Sequence, residues 1–306
     1  MPDTPEYAVL LAVGPRPDEI DRVRDLVAAI GHYEPGRCAF VMVDDVPTPR
    51  GLDKLIDFPP HIRPIVAHHP RHGQVIIYKR GKGICSAILL CLQIAARQTR
   101  ADFVLKLDTD SHVIAPFSQK IRTAFAANPT VGEIGAYTLT PNNTPRDFSR
   151  NGSNIQSRHA LPRFDWKHPI RSMKARRDPL AARLRRHIDD AVANGYVYGE
   201  HCLGGGYAIS RPCLDAMNAR GYLDDPSLWL AIDCPEDVMA GLYVKAAGFG
   251  IANHVGTNEV FGVRHMGLPY PPEELVQRGY SVIHAVKNDP NVSEPDIRAY
   301  FAKRRQ

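Results

Sequence analysis

Near its start the chain carries "YAVLLAV" (Tyr7–Val13), a continuous apolar run of the kind a strand needs when both of its faces are covered. "PDEIDRVRDLVAAIG" follows, with Ile20, Val23, Val27 and Ile30 at helical spacing and Gly31 as a stop. A second strand is predicted over Cys38–Asp45, "CAFVMVDD", and a weaker third over "RPIVAHH". Lys82–Gln98 predicts a long apolar helix, and Asp102–Leu107, "DFVLKL", the next strand. Strands alternating with helices predict an α/β fold, a mainly parallel sheet covered on both faces. In such sheets ligands lie beyond the carboxyl ends of the strands. Asp44, Asp45, Asp108 and Asp110 all fall at such ends.

Beyond residue 115 the pattern changes. "VGEIGAYTLT" predicts a strand, and "PNNTPRDFSRNGSNIQSRH" reads as a polar loop. A helix is expected from Asp178 to Ala193 with Pro179 in its first turn. Next come "GGGYAIS", a strand entered through glycines, and a helix from Pro212. "DCPEDVMAGLYVKAAG" predicts a helix closed by Gly248, "EVFGVRH" a further strand, and "EPDIRAYFAKRR" a last helix.

Composition narrows the class. With 306 residues the chain buries a sizeable core, and no run of 18 apolar residues is present to span a bilayer. The first residues lack a basic n-region and read as a strand, not a signal peptide. Six scattered cysteines without a CxxC point to reduced thiols and a cytoplasmic setting. The net charge of +5 is uneven: Arg146 to His187 holds twelve Lys and Arg against three Asp. That basic segment, residues 146–187, motivates one reading as a nucleic-acid-binding or anionic-membrane-surface protein, with a solvated basic helix as the plain alternative.

Four stretches carry candidate chemistry. In "LKLDTDSHV", an extended chain through Thr109 points Asp108 and Asp110 to one face, where hard oxygens suit Mg²⁺ or Mn²⁺. The same triplet also suits an ordinary turn. In "DCPEDVMAG", Asp233 reads as an N-cap and Glu236 as its N3 partner, which leaves Asp237 unaccounted for. A carboxylate there suits proton abstraction from a hydroxyl. The glycines of "HCLGGGYAIS" fit either a bulge or a close backbone approach to a ligand. Two late histidines remain, His265 in "VRHMG" and His284 in "SVIHAVK", the second three residues before Lys287. The chain has no GxxxxGK[ST], no full dinucleotide fingerprint and no G-x-S-x-G.

Three of these signals stand in a fixed order: Asp-x-Asp after a strand, then "GGGYAIS", then "PEDVMAG". Over roughly residues 80 to 290 the chain thereby resembles the GT-A glycosyltransferases, and in particular the inverting branch that includes the β-1,3-galactosyltransferase and fringe-type enzymes. The resemblance implies a GT-A-type, Rossmann-like mixed sheet, mainly parallel, with helices on both faces. It implies a nucleotide-sugar-binding half (1–115), an acceptor and catalytic half of the same domain (116–270), and a C-terminal tail (271–306) acting as a lid. The implied reaction is metal-dependent transfer, with inversion, of a sugar from a nucleotide-sugar donor, UDP-linked, to a glycan or lipid-linked acceptor, which makes the chain a hexosyltransferase-like enzyme. Asp108 and Asp110 would hold Mn²⁺ or Mg²⁺ with His265 or His284 as a further ligand. Lys82, Asp108, Asp110 and Lys287 would contact the donor, and Asp237 would be the base. Gly204, Gly205, Gly206, Tyr207 and Glu236 would border the sugar pocket. The acid many relatives carry at the Thr109 position is absent here. A sugar nucleotidyltransferase is the other enzyme reading. No nucleic-acid partner is expected with the transferase reading, whereas peripheral contact of the basic segment with an anionic membrane is compatible with it.

Overall fold

The computed structural model describes residues 4–69, 83–160, 166–229 and 234–306. Its centre is a seven-stranded sheet in the order β3-β2-β1-β4-β7-β6-β8. The strands are β1 (Tyr7–Val13), β2 (Cys38–Asp44), β3 (Ile62–His68), β4 (Phe103–Leu107), β6 (Val131–Gly135), β7 (Gly206–Ser210) and β8 (Gly250–Asn253). β3, β2, β1 and β4 run parallel to one another, β7 is antiparallel to both β4 and β6, and β6 and β8 are parallel. A small second sheet joins β5 (His112–Val113), β10 (Val282–His284) and β9 (Phe261–Val263). The mixed, mainly parallel sheet expected from the sequence is therefore present.

The period-two alternation of strand side chains sorts the apolar runs onto two faces. Ala8 and Leu10 of β1 pack with the helix α3 (Gly83–Gln98) and with α7 (Pro179–Ala193), α8 (Arg211–Ala219) and α9 (Glu236–Ala246). Tyr7, Val9, Leu11 and Val13 face α1 (Asp18–Tyr33) and α4 (Ser118–Ala127). Burial on both sides explains why β1 and β2 read as unbroken apolar runs. A third cluster, with Leu275, Ile283, Ile297 and Phe301, ties α10 (Pro272–Gln277), β10 and α11 (Glu294–Lys303) together.

Several local expectations shift. The stretch read as a polar loop ends in a helix, α5 (Ser149–His159), whose polar face hid its period: only Gly152 and Ile155 are buried. A further helix, α6 (Pro169–Arg176), lies within the basic segment. α1 runs past Gly31 to Tyr33. The helix α9 begins at Glu236 with Pro235 at its N-cap position, so Glu236 is its first residue and not the third residue of a capping box. Asp233 lies outside the described residues, as does Lys82. A short helix, α2 (Leu52–Leu55), completes the set of named elements. No helix among the described residues is long and apolar enough to cross a membrane. None of the six cysteines is in a disulfide, and all are buried.

Candidate active site

β4 ends in the turn that carries Asp108 and Asp110, at the carboxyl end of a central strand where the sheet changes from parallel to antiparallel pairing. From the far end of the chain, β10 delivers His284 to the same place. One ligand atom from each of Asp108, Asp110 and His284 falls within a 4.8 Å cluster. His284 Nε2 is 3.4 Å from Asp110 Oδ1 and 3.6 Å from Asp108 Oδ2. Its Nδ1 is 2.7 Å from the Arg264 carbonyl, which can only accept, so Nδ1 carries the proton and Nε2 faces the carboxylates. That outer hydrogen bond to a backbone carbonyl is the support a metal-binding imidazole ordinarily has. Asp110 Oδ2 is buried without a hydrogen-bond partner of good geometry, with the Lys287 ammonium facing it at 3.0 Å. Two carboxylates and an imidazole form a donor set suited to a small divalent cation. Burial acts to raise the Asp110 carboxyl, but His284 and Lys287 outweigh it and hold it well below the usual range.

Beneath the cluster lies a residue that the sequence reading passed over. Lys106, in the middle of "FVLKL", is 1% exposed. Its Nζ donates to Asp108 Oδ1 and Glu236 Oε1, each at 2.6 Å, and to the Gly204 carbonyl at 2.5 Å. Burial would lower the ammonium's affinity for its proton, yet the two carboxylates keep it raised. Lys106 thus fixes the Asp108 carboxylate, the glycine loop and the start of α9 against one another. The available signal was a lysine inside a strand otherwise built to be buried on both faces.

The glycines are explained by closeness of approach. A Cβ on Gly204 would overlap Glu236 Oε1, and one on Gly205 would overlap the His284 ring. Gly206 and Tyr207 are already within β7. Tyr207, expected at the sugar pocket, is fully buried beside Lys106 and is not among the residues lining the cavities described below; its strand position on the covered face put it in the core. Glu236, expected at the sugar pocket, lines the cleft but spends Oε1 on Lys106.

Asp237 sits at the second position of α9. Its Oδ2 accepts from the Gly204 amide at 3.0 Å, and its Oδ1 from the Val238 amide at 2.8 Å. Burial raises its carboxyl, and Glu236 adds to that. Asp237 lines two cavities. The first, about 400 Å³, holds Asp108, Asp110, His284 and Lys287. The second, about 590 Å³, is lined by Arg146, Asp147, Arg150, Asn151 and Asn154 with His201. His265 borders both cavities but is not part of the Asp108–Asp110–His284 cluster. The sequence reading placed neither α5 nor His201 here, since their contribution depends on how the chain folds back over β7.

No protein-family model matches the sequence, and no curated protein matches it. Among solved structures the chain is similar to the apo form of WbbM, a bifunctional glycosyltransferase, with a TM-score of 0.49 and 11% identity over 98% of this chain. The chain spans 50% of the length of that protein.

Proposed function

We propose that the protein is a metal-dependent glycosyltransferase that moves a sugar from a nucleotide-sugar donor, UDP-linked, to an acceptor hydroxyl with inversion. The observation that carries this reading is the position of Asp237 between two cavities, one of which holds the Asp108–Asp110–His284 group. The donor's diphosphate is assigned to the first cavity, near Asp108, Asp110 and Lys287, and the acceptor to the second, against Arg150, Asn151 and Asn154. A divalent cation, Mn²⁺ or Mg²⁺, held by Asp108, Asp110 and His284 supplies charge neutralisation for the leaving diphosphate. Asp237 accepts the acceptor hydroxyl's proton as the oxygen attacks, while the Gly204 amide holds its carboxylate in place. A base between two cavities favours sugar transfer over the nucleotidyl transfer of the other enzyme reading.

The deciding experiment is a nucleotide-sugar panel with and without Mn²⁺ on wild type, Asp110→Asn and Asp237→Asn. Donor binding should need metal and Asp110, and Asp237→Asn should bind donor without transferring. If no nucleotide sugar binds under any condition, the reading fails.

A specific observation also favours peripheral contact with an anionic membrane, where a lipid-linked acceptor would be met. Trp166, just ahead of α6, is 85% exposed, and Ile170 and Met173, on one side of that helix, are 72% and 43% exposed. The same stretch carries Lys167, Arg171, Lys174, Arg176 and Arg177 and no acid between Trp166 and Arg177. Apolar side chains flanked by cations suit an interfacial helix on anionic lipid better than a nucleic-acid surface. Sedimentation with phosphatidylglycerol-containing vesicles should be salt-sensitive and should be lost on changing Trp166, Ile170 and Met173 to Ser. Equal binding to neutral vesicles, or no binding, would count against it.

A further inference from the structure

We infer that Arg146 is a positioning residue: by donating to Nε2 of His201 it prevents that imidazole from donating to Asp237, and so preserves the carboxylate as a proton acceptor. The inference rests on the reading of Asp237 as the base and names the groups that keep it competent.

His201 lies in the segment leading into β7 and is 4% exposed. Its Nδ1 is 2.6 Å from the Gly199 carbonyl, an obligatory acceptor, so the ring proton resides on Nδ1. Its Nε2 is 2.7 Å from Nη2 of Arg146, an obligatory donor, so Nε2 presents its lone pair. Nε2 is also 3.5 Å from Asp237 Oδ2. With the lone pair turned to the guanidinium, the ring has no proton for Asp237.

The guanidinium has little freedom to leave. Nη1 donates to the carbonyls of Ala136, Tyr137 and His201 at 2.6, 2.9 and 2.5 Å, and the group lies 5.1 Å from the centre of the Phe148 ring. Its positive charge therefore reaches Asp237 across a neutral ring, not by direct contact. The other charged groups facing Asp237 are Glu236 on its own helix, Lys106 from β4 and Glu133 from β6. Lys106 is occupied by Asp108, Glu236 and the Gly204 carbonyl, and Glu133 is a buried acid. None of them donates a hydrogen bond to Asp237. Burial keeps His201 below the ordinary histidine range, although Asp237 pulls the other way. Without Arg146, Nε2 can take a proton and form an ion pair with Asp237, which lowers the basicity of the carboxylate.

The test uses the ¹⁵N-labelled full chain. Long-range ¹H–¹⁵N spectra, with His201 assigned by its loss in His201→Gln, should show a neutral Nδ1–H ring across about pH 5.5–8, where an ordinary histidine titrates. In Arg146→Met the ring should become protonated within that window, and Arg146→Lys should restore the neutral form in part. In transfer assays Arg146→Met should shift the acid limb of the kcat profile to lower pH and reduce kcat, with the donor KM little changed. A wild-type His201 that is an imidazolium or an Nε2–H tautomer overturns the inference, and so does an Arg146→Met spectrum identical to wild type. If Arg146→Met does not fold, the wild-type tautomer decides alone. The spectra need no turnover, so active Asp237→Asn alongside a neutral Nδ1–H His201 would sink the base assignment and leave the hydrogen-bond reading intact.

Discussion

His284 Nε2 lies 3.4 Å from Oδ1 of Asp110, although the two residues are far apart in the sequence, Asp110 in the turn that follows β4 and His284 in β10. The contact joins the main sheet to the C-terminal segment at the one place where Asp108, Asp110 and a histidine converge. His284→Ala and Asp110→Asn should each weaken Mn²⁺ binding by at least the roughly 10–100-fold that losing an outer partner of a metal ligand costs. His265→Ala should leave that affinity close to wild type. Titration by electron paramagnetic resonance reads this directly, and a larger loss in His265→Ala would exchange the roles of the two histidines.

Gly205 lies so close to His284 that a Cβ would overlap its ring. Gly205→Ala should therefore push the imidazole away from Asp110. Weaker metal binding is expected with a loss of stability of about 1–3 kcal/mol, the usual cost of overpacking. Calorimetric melts with and without Mn²⁺ would separate the two effects, and an unchanged metal-induced rise in Tm would contradict the packing argument.

Lys106 is the cation between Asp108 and Glu236; Lys106 and Glu236 are buried and Asp108 is partly exposed. Lys106→Met leaves two carboxylates facing each other without compensation. It should destabilise the fold by about 3–5 kcal/mol, the range for breaking one side of a buried pair. Denaturant unfolding checks this, and a variant as stable as wild type would mean that the pair is solvated.

Asp237→Asn should retain metal and donor binding while kcat falls by roughly 10²–10⁴-fold, the range for losing a general base. Binding by calorimetry and turnover by product analysis distinguish this from a folding defect. Near-normal transfer would remove Asp237 from the chemistry.

His187 gives a pH dependence unrelated to the site. Its ring is packed against Tyr222 and Tyr243, its Nδ1 is 3.2 Å from the Tyr243 hydroxyl, and burial, aided by Arg183, pushes it down to about 4. The unfolded chain binds that proton near pH 6.5, so between about 6.5 and 4 it takes up a proton that the folded state refuses. The contribution is full above about pH 6.5 and declines as pH falls through that window. Tm should drop over the same interval, and His187→Gln should show a shallower drop; identical slopes would assign the effect elsewhere.

The sequence by itself determined the layer architecture and the inventory of chemistry. Tyr7–Val13 is apolar throughout and Cys38–Asp44 at every position but Asp44, because both faces of a parallel core strand are covered, and that pattern is local enough to read directly. Asp108, Asp110 and Asp237 were legible because each is a carboxylate beside a strand end or a helix start, where side-chain direction follows from backbone period. What only the tertiary structure decided was convergence. Whether His265 or His284 meets Asp110 depends on β10 pairing with β5 and β9, a contact between segments far apart in the chain. Lys106 drew no reading from the sequence, because its partner Glu236 comes from α9, far along the chain. Arg146 read as the first charge of a basic run until the fold set it against His201 and, through that ring, against Asp237. Hydrophobic periodicity records which face of an element is buried; it carries no record of which distant charge will be found there.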